Sequence, residues 1–166
     1  MVKNRDLQGF KKDFSSFHHL TGVDFVLKLN RNLRLVIDEL DLLENLRVET
    51  AEFKAFKTEG QALYIKHSAK DSNGNPKTEP IQTPQGIIRK YVTDNANKPT
   101  LEKEIKALEK KYKDAVDLQN QKEQDFASAM DAECTLKFSL IEKGDLPEKI
   151  TVEQLGLLTN MNMVKF

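Results

Sequence analysis

The sequence predicts a mainly α-helical fold: an antiparallel, coiled-coil-like hairpin of two long helices, with a small β-containing insertion and a short strand-plus-helix tail. Three observations carry this prediction. Apolar residues recur at three- and four-residue steps from Asp24 to Ser68 and again from Thr100 to Asp131. A polar, turn-rich segment separates the two stretches. After the second stretch the period changes to two, with Cys134, Leu136, Phe138 and Leu140 alternating with polar neighbours.

Taken in order, Leu7, Phe10, Phe14, Phe17 and Leu20 define an amphipathic helix of about four turns that Thr21 and Gly22 end. Asp24 is placed to cap the first long helix. Its seam runs through Val26, Leu29, Leu33, Val36, Leu40 and Leu43, then slips by about one residue to Leu46, Phe53, Phe56 and Leu63. Gly60 is the weak point, since a helical glycine costs about 1 kcal/mol against alanine. A kink or stop is expected there, after which Leu63 to Ile65 read either as helix or as strand.

The insertion, residues 69–99, opens on the turn chemistry of Asp71-Ser72-Asn73-Gly74-Asn75-Pro76 and is punctuated by Pro80, Pro84, Gly86 and Pro99. Within it Ile87, Ile88, Tyr91 and Val92 are β-prone, with Leu63 to Ile65 as the expected pairing partner. Pro99 and Thr100 then open the second long helix, with Glu102 and Glu104 near the positive end of its dipole. Its seam is Leu101, Ile105, Leu108, Tyr112 and Ala115, a polar gap at Gln119 and Lys122, then Phe126 and Ala129. In the hairpin Leu101, Ile105, Leu108 and Tyr112 face Leu46, Phe53, Phe56 and Leu63. Beyond the alternating strand, Gly144 and Asp145 turn the chain. Thr151 and Gln154 form a capping box ahead of a two-turn helix that ends before Asn160, and Met161 to Phe166 close the chain. The expected partition is 1–22 for the amino-terminal helix, 23–132 for the hairpin with its insertion, and 133–166 for the strand and short helix packed on it.

The 26 basic and 26 acidic residues balance, so no net field steers the chain toward nucleic acid or an anionic membrane. The mild basic excess at Lys3, Arg5, Lys11 and Lys12 is softened by Asp6 and Asp13, and nucleic acid is not an expected partner. Cys134 stands alone, which rules out an intrachain disulfide and fits a reducing cytoplasm. No apolar run approaches the roughly 18 residues of a membrane span, and the amino end lacks a signal-peptide stretch, so a soluble protein is expected.

Candidate sites each have a plainer reading that outweighs the functional one. Asp71, Asn73 and Asn75 alternate like calcium ligands, but Pro76 stands where that loop needs glycine and Gln82 where it needs a bidentate glutamate. His18, His19 and His67 lack the spacing that presents two imidazoles on one helical face. Alternation turns Cys134 toward the face of Leu136 and Phe138, an inert thiol and not a nucleophile. Carboxylates interleave with lysines as a solvated face, and Gly86 and Gly144 are isolated turn residues. No catalytic, cofactor, metal or small-molecule site is therefore assigned. The residues expected to carry function are an interaction seam: Leu101, Ile105, Leu108, Tyr112, Gln119, Lys122 and Phe126.

Two resemblances bear on this. The first long helix is followed by the Lys70-Asp71-Ser72-Asn73-Gly74-Asn75-Pro76 turn and a second long helix. Leu146-Pro147-Glu148-Lys149-Ile150-Thr151 then leads into Gln154-Leu155 and a late Met161. This order, over about Leu29 to Met163, resembles a family of short phage and prophage proteins of unassigned function, to which the first twenty-odd residues look like an addition. The resemblance implies an infected bacterial cytoplasm or a virion as the setting, and brings no catalytic residues. A β-prone insertion at Gly86 to Val92 between two helices is also similar to the β-type prefoldin layout, although this chain continues through Cys134 to Phe166 where prefoldins end. The functional expectation is a non-enzymatic phage-encoded protein acting through protein-protein contacts of its helical hairpin, in virion assembly or host-factor binding. The alternative is a prefoldin-like coiled-coil chaperone or adaptor. Two helices bury one stripe each, so a protein partner or self-association is expected to supply further stability.

Overall fold

The computed structural model describes residues 2–83 and 86–165, and it is mainly helical with a small antiparallel two-stranded sheet. Pro84, predicted as turn punctuation, and Phe166, the end of the predicted closing run, lie outside the described residues. The chain forms two units, Met1–Val48 with Lys122–Phe166, and Glu49–Gln121. Both boundaries fall inside the segment 23–132.

The first unit is built on α1 (Asp6–Asp13), α2 (Val23–Leu46), the later turns of α5 (Lys113–Asp131) and α6 (Val152–Asn160). A 3-10 turn at Phe14–Phe17 continues α1, so Leu7, Phe10 and Phe17 all reach the core, as the three- and four-residue spacing predicts. They pack with Phe25, Leu29, Val36, Leu40 and Leu43 of α2 and with Ile141, Leu158, Met161 and Met163 from the tail. The amino-terminal segment is tied to the end of α5: Asn4 N–H donates to Ala132 O and Arg5 N–H to Met130 O, while Cys134 N–H donates to Val2 O. The capping box forms as predicted, with Gln154 N–H donating to Thr151 Oγ1 at 3.2 Å and Thr151 N–H to Gln154 Oε1 at 2.9 Å.

Four details of this unit differ from the sequence reading. Gly22, at φ 124°, occupies the N-cap of α2 and its carbonyl accepts from Val26 N–H, so Asp24 sits inside the first turn. The buried seam of α2 begins at Phe25, which is 1% exposed, while Val26 is turned outward. Asn32 is a full member of that seam, at 0% exposure between Leu29 and Val36. Its amide donates to Ser139 O at 3.0 Å and accepts from Ser139 N–H at 2.7 Å. The fourth difference is that Cys134–Leu140 forms no ladder; at Ser139 the Asn32 side chain takes the backbone groups that a neighbouring strand would pair. The side-chain alternation survives from Cys134 to Phe138, with Cys134, Leu136 and Phe138 half-buried and Thr135 and Lys137 exposed, and then fails, since Ser139 is half-buried and Leu140 exposed. The ladder is confined to β3 (Ile141–Glu142), which pairs in parallel with β4 (Val164–Lys165).

The second unit holds α3 (Ala51–Lys66), β1 (Thr78–Thr83), β2 (Gly86–Tyr91), α4 (Lys98–Lys111) and the start of α5. The first long apolar stretch is interrupted at Arg47–Thr50 and not at Gly60. Thr50 adopts an extended backbone and its hydroxyl accepts from Phe53 N–H at 3.1 Å, the geometry of an N-cap that starts a new helix. Gly60 lies within unbroken α3, so Leu63 to Ile65 are helical and unavailable as a strand. The β-prone run pairs instead with its sequence neighbour: β1 and β2 are antiparallel, with Ile81 opposite Ile88 and Thr83 opposite Gly86. The polar turn before them closes on itself, as Asp71 Oδ1 accepts from both Asn73 and Asn75 N–H and Gly74 takes φ 80°. Pro99 lies in the first turn of α4 as predicted.

Candidate interaction surface

Helices α3 and α4 lie against each other in opposite directions, which follows from the pairing of their side chains. Near the start of α3, the Phe53 and Phe56 rings lie tilted at 5.9 Å, and Phe56 meets Tyr112 edge-to-face at 6.0 Å. One turn further, Glu59 accepts from the Tyr112 hydroxyl at 2.7 Å and from Lys111 Nζ at 2.8 Å. At the far end Glu104 accepts from Lys66 Nζ at 2.8 Å and meets His67 Nε2 at 2.8 Å. Rising numbers on α3 thus meet falling numbers on α4. His67, which caps α3, is buried, and its backbone carbonyl accepts from Asp94 N–H.

These contacts set the electrostatics. The hydrogen bond from Lys111, then that from Tyr112, holds the Glu59 carboxyl below its ordinary range, and Glu59 in turn pushes Lys111 up. Lys66, then His67, does the same to Glu104. Both carboxylates stay charged at neutral pH.

Between the two bridges lies an apolar groove of about 410 Å³, lined by Ala62, Leu63, Ala107 and Leu108. Glu59 and Lys111 border one end and Glu104 the other. Ala62 and Ala107 on its lining are exposed. A second hollow of about 760 Å³ opens between the helices and β2, with Phe56, Tyr64, Tyr91 and Ile105 on its walls beside Lys54 and Arg89. No residue of α3 is fully buried: Phe53, Phe56, Leu63 and Ile65 are each only half-covered.

Of the predicted seam, Leu101 and Leu108 are buried and Ile105 and Tyr112 half-buried in this unit, and Gln119 is also buried here. Lys122 and Phe126 belong to the other unit. Lys122 Nζ donates to Val48 O at 2.9 Å, and Phe126 is half-buried under the Arg47 guanidinium at 4.3 Å. The more exposed large apolar side chains of the second unit are Tyr64, Leu118, Ile87 and Ile88. Sequence reasoning missed the Glu59 and Glu104 bridges, which join helices distant in sequence. It also missed the groove, whose only mark in the chain is alanine at 62 and 107.

The remaining candidate groups are placed as follows. Asp71 spends one oxygen on its own turn. Among the described residues no group of three or more His, Cys, Asp or Glu is arranged to hold a metal ion. The Cys134 thiol is half-covered and pushed up by burial, away from the thiolate. Arg5 pairs with Asp131 at 3.0 Å. Among the described residues no helix is long and apolar enough to cross a membrane. Comparison with protein-family models, with curated proteins and with solved structures finds no match in any of the three.

Proposed function

We propose that this chain is a non-enzymatic, phage-encoded protein that works through protein-protein contacts of its helical surface, in virion assembly or in binding a host factor. The contact face is the α3–α4 pair, read as a helical hairpin whose groove takes an apolar side of the partner. The phage setting rests on the resemblance carried by the Lys70 to Pro76 turn and the Leu146 to Thr151 segment. The protein-contact reading rests on one observation: α3 carries Phe53, Phe56, Leu63 and Ile65, yet none of its side chains is fully buried. Helices of this length owe their stability in water to burial of an apolar face, so α3 has surface left for a second molecule.

A photo-crosslinking residue at Ala107, on the groove, tests this against the same residue at exposed Asp38 in the other unit. The expected result, in cells that make the chain in its native setting, is an adduct of one defined mass from position 107 and none from position 38. Ala62→Glu, which places a charge in the groove, abolishes it. Equal labelling from both positions, or an adduct indifferent to Ala62→Glu, contradicts the proposal.

A further inference from the structure

The β1–β2 ribbon has two edges that differ chemically. Val92 N–H donates to Lys77 O at 2.9 Å, while Lys77 N–H donates to Ala69 O, and the first of these bonds sets Lys77 and Val92 at a hydrogen-bonding position of the ribbon. Antiparallel ladders alternate, so Thr78 with Tyr91 is a non-bonded pair, Glu79 with Lys90 a bonded one, and Pro80 with Arg89 non-bonded again. Pro80 therefore turns its nitrogen, which carries no hydrogen, to the outside of β1. The outer edge of β1 is blocked at its middle. The outer edge of β2 presents the N–H and C=O groups of Ile87 and Arg89, and among the described residues no further strand joins this sheet. Ile87 and Ile88 beside it are 70% and 53% exposed. An open edge with exposed β-branched side chains is a template for another strand.

We propose that the outer edge of β2 pairs antiparallel with β2 of a second copy of this chain, about a two-fold axis at Ile88, giving a four-stranded sheet in the order β1-β2-β2-β1. An isoleucine row across the sheet, complementary to itself, argues for a second copy as occupant, and the charges of the strand choose the register. With the axis at Ile88, Ile87 lies opposite Arg89 of the second copy, Lys90 opposite Gly86, and Ile88 opposite itself. No like charges lie directly opposite, and Arg89 approaches its counterpart only on the diagonal. Because Ile81 is already paired with Ile88 in each ribbon, the two copies line up Ile81, Ile88, Ile88 and Ile81 as one apolar row across the sheet. Moving the axis to Arg89 or Lys90 sets that cation against itself. An axis at Ile87 puts its isoleucine pair beside Gln82 and forgoes the row. A two-stranded ribbon is marginal alone, and four strands with a shared apolar row are not. The proline-blocked β1 edges then lie outermost, so assembly closes at two copies. This inference does not depend on the α3–α4 groove.

Light scattering on the purified full chain, and oxidation of an Ile88→Cys chain in which Cys134→Ser removes the native thiol, test it. The expected mass is twice the 19.0 kDa of the chain. Arg89→Pro removes only an outward N–H, so it leaves the ribbon's own ladder intact and yields the monomer. Ile88→Lys, which sets two ammonium groups face to face, does the same by a route that spares the backbone. Gln82→Pro, on the outer edge of β1, leaves the dimer in place. Because Ile88 meets itself at a non-bonded position, where Cα atoms come within about 4.5 Å, the Ile88→Cys chain oxidises to a disulfide-linked dimer and a Lys90→Cys chain does not. A wild-type monomer at 100 µM overturns the proposal, as does a dimer that survives both Arg89→Pro and Ile88→Lys.

Discussion

Replacing Asn32 isolates the one polar contact on which the α2 seam depends. Its side chain is fully buried and makes two hydrogen bonds to the backbone of Ser139, at 3.0 and 2.7 Å. Each is worth about 1 kcal/mol net, and orphaning the Ser139 N–H and C=O adds about 1–3 kcal/mol, part of which water recovers because Ser139 is half-buried. Asn32→Ala should therefore cost about 2–4 kcal/mol, which for a chain of this size lowers Tm by roughly 5–12 °C. Asn32→Leu keeps most of the volume while removing the same bonds, and should still cost more than about 1 kcal/mol. Asn30→Ala, at an exposed position, should stay within about 0.5 kcal/mol of the parent. Urea unfolding followed by far-UV circular dichroism reads all three. If Asn32→Leu matches or exceeds the parent, the seam is purely apolar and the role given to Ser139 is wrong.

Gly60→Ala should stabilise the chain by about 0.5–1 kcal/mol, since α3 is unbroken there and the new methyl meets Leu108 Cδ2 at an ordinary 3.6 Å; a loss of stability in thermal melts would mean the helices approach more closely than described. Glu59 and Glu104 have folded pKa values below their unfolded ones, so the stability they contribute is present above the ordinary carboxylate range and is lost as pH falls through the lowered folded values. The double variant Glu59→Gln, Glu104→Gln should accordingly flatten the acid limb of stability against pH, and an unchanged limb would count against both bridges. Thr151→Ala should cost about 1 kcal/mol through loss of the capping box, measured by the same denaturation. At pH 8 Cys134 should react with a disulfide reagent more slowly than a free thiol, and a rate equal to that of a small-molecule thiol would contradict the burial assigned to it.

How far the chain could be read depended on the range of the interactions. Local chemistry was legible: the Thr151 capping box, the Asp71 turn, Pro99 at the start of α4 and the spacing of Leu7, Phe10 and Phe17 all act within a few residues. Part of the second seam was legible too, since Leu101 and Leu108 are buried, but Gln119, read as a polar gap, is buried as well, and the expected single helix is broken at Tyr112 between α4 and α5. The break at Arg47–Thr50 was missed because Gly60 is the stronger intrinsic breaker, whereas Thr50 starts a new helix through a capping bond whose acceptor role shows only once Phe53 is helical. The strand expected at Cys134–Leu140 does not form, and one of the contacts there is non-local: Asn32, more than a hundred positions away, occupies the backbone groups of Ser139. The groove is non-local too, since alanine at 62 and 107 acquires meaning only when α3 and α4 are side by side.

Hydrogen exchange along the isolated chain tests most directly whether α3 is a helix awaiting cover. The account predicts that amides of 51–66 exchange at least about tenfold faster than those of the Leu29 to Leu43 part of α2, and slow when the molecule captured at Ala107 is added back. Protection of α3 equal to that of α2 in the chain alone, with no change on addition, would contradict it.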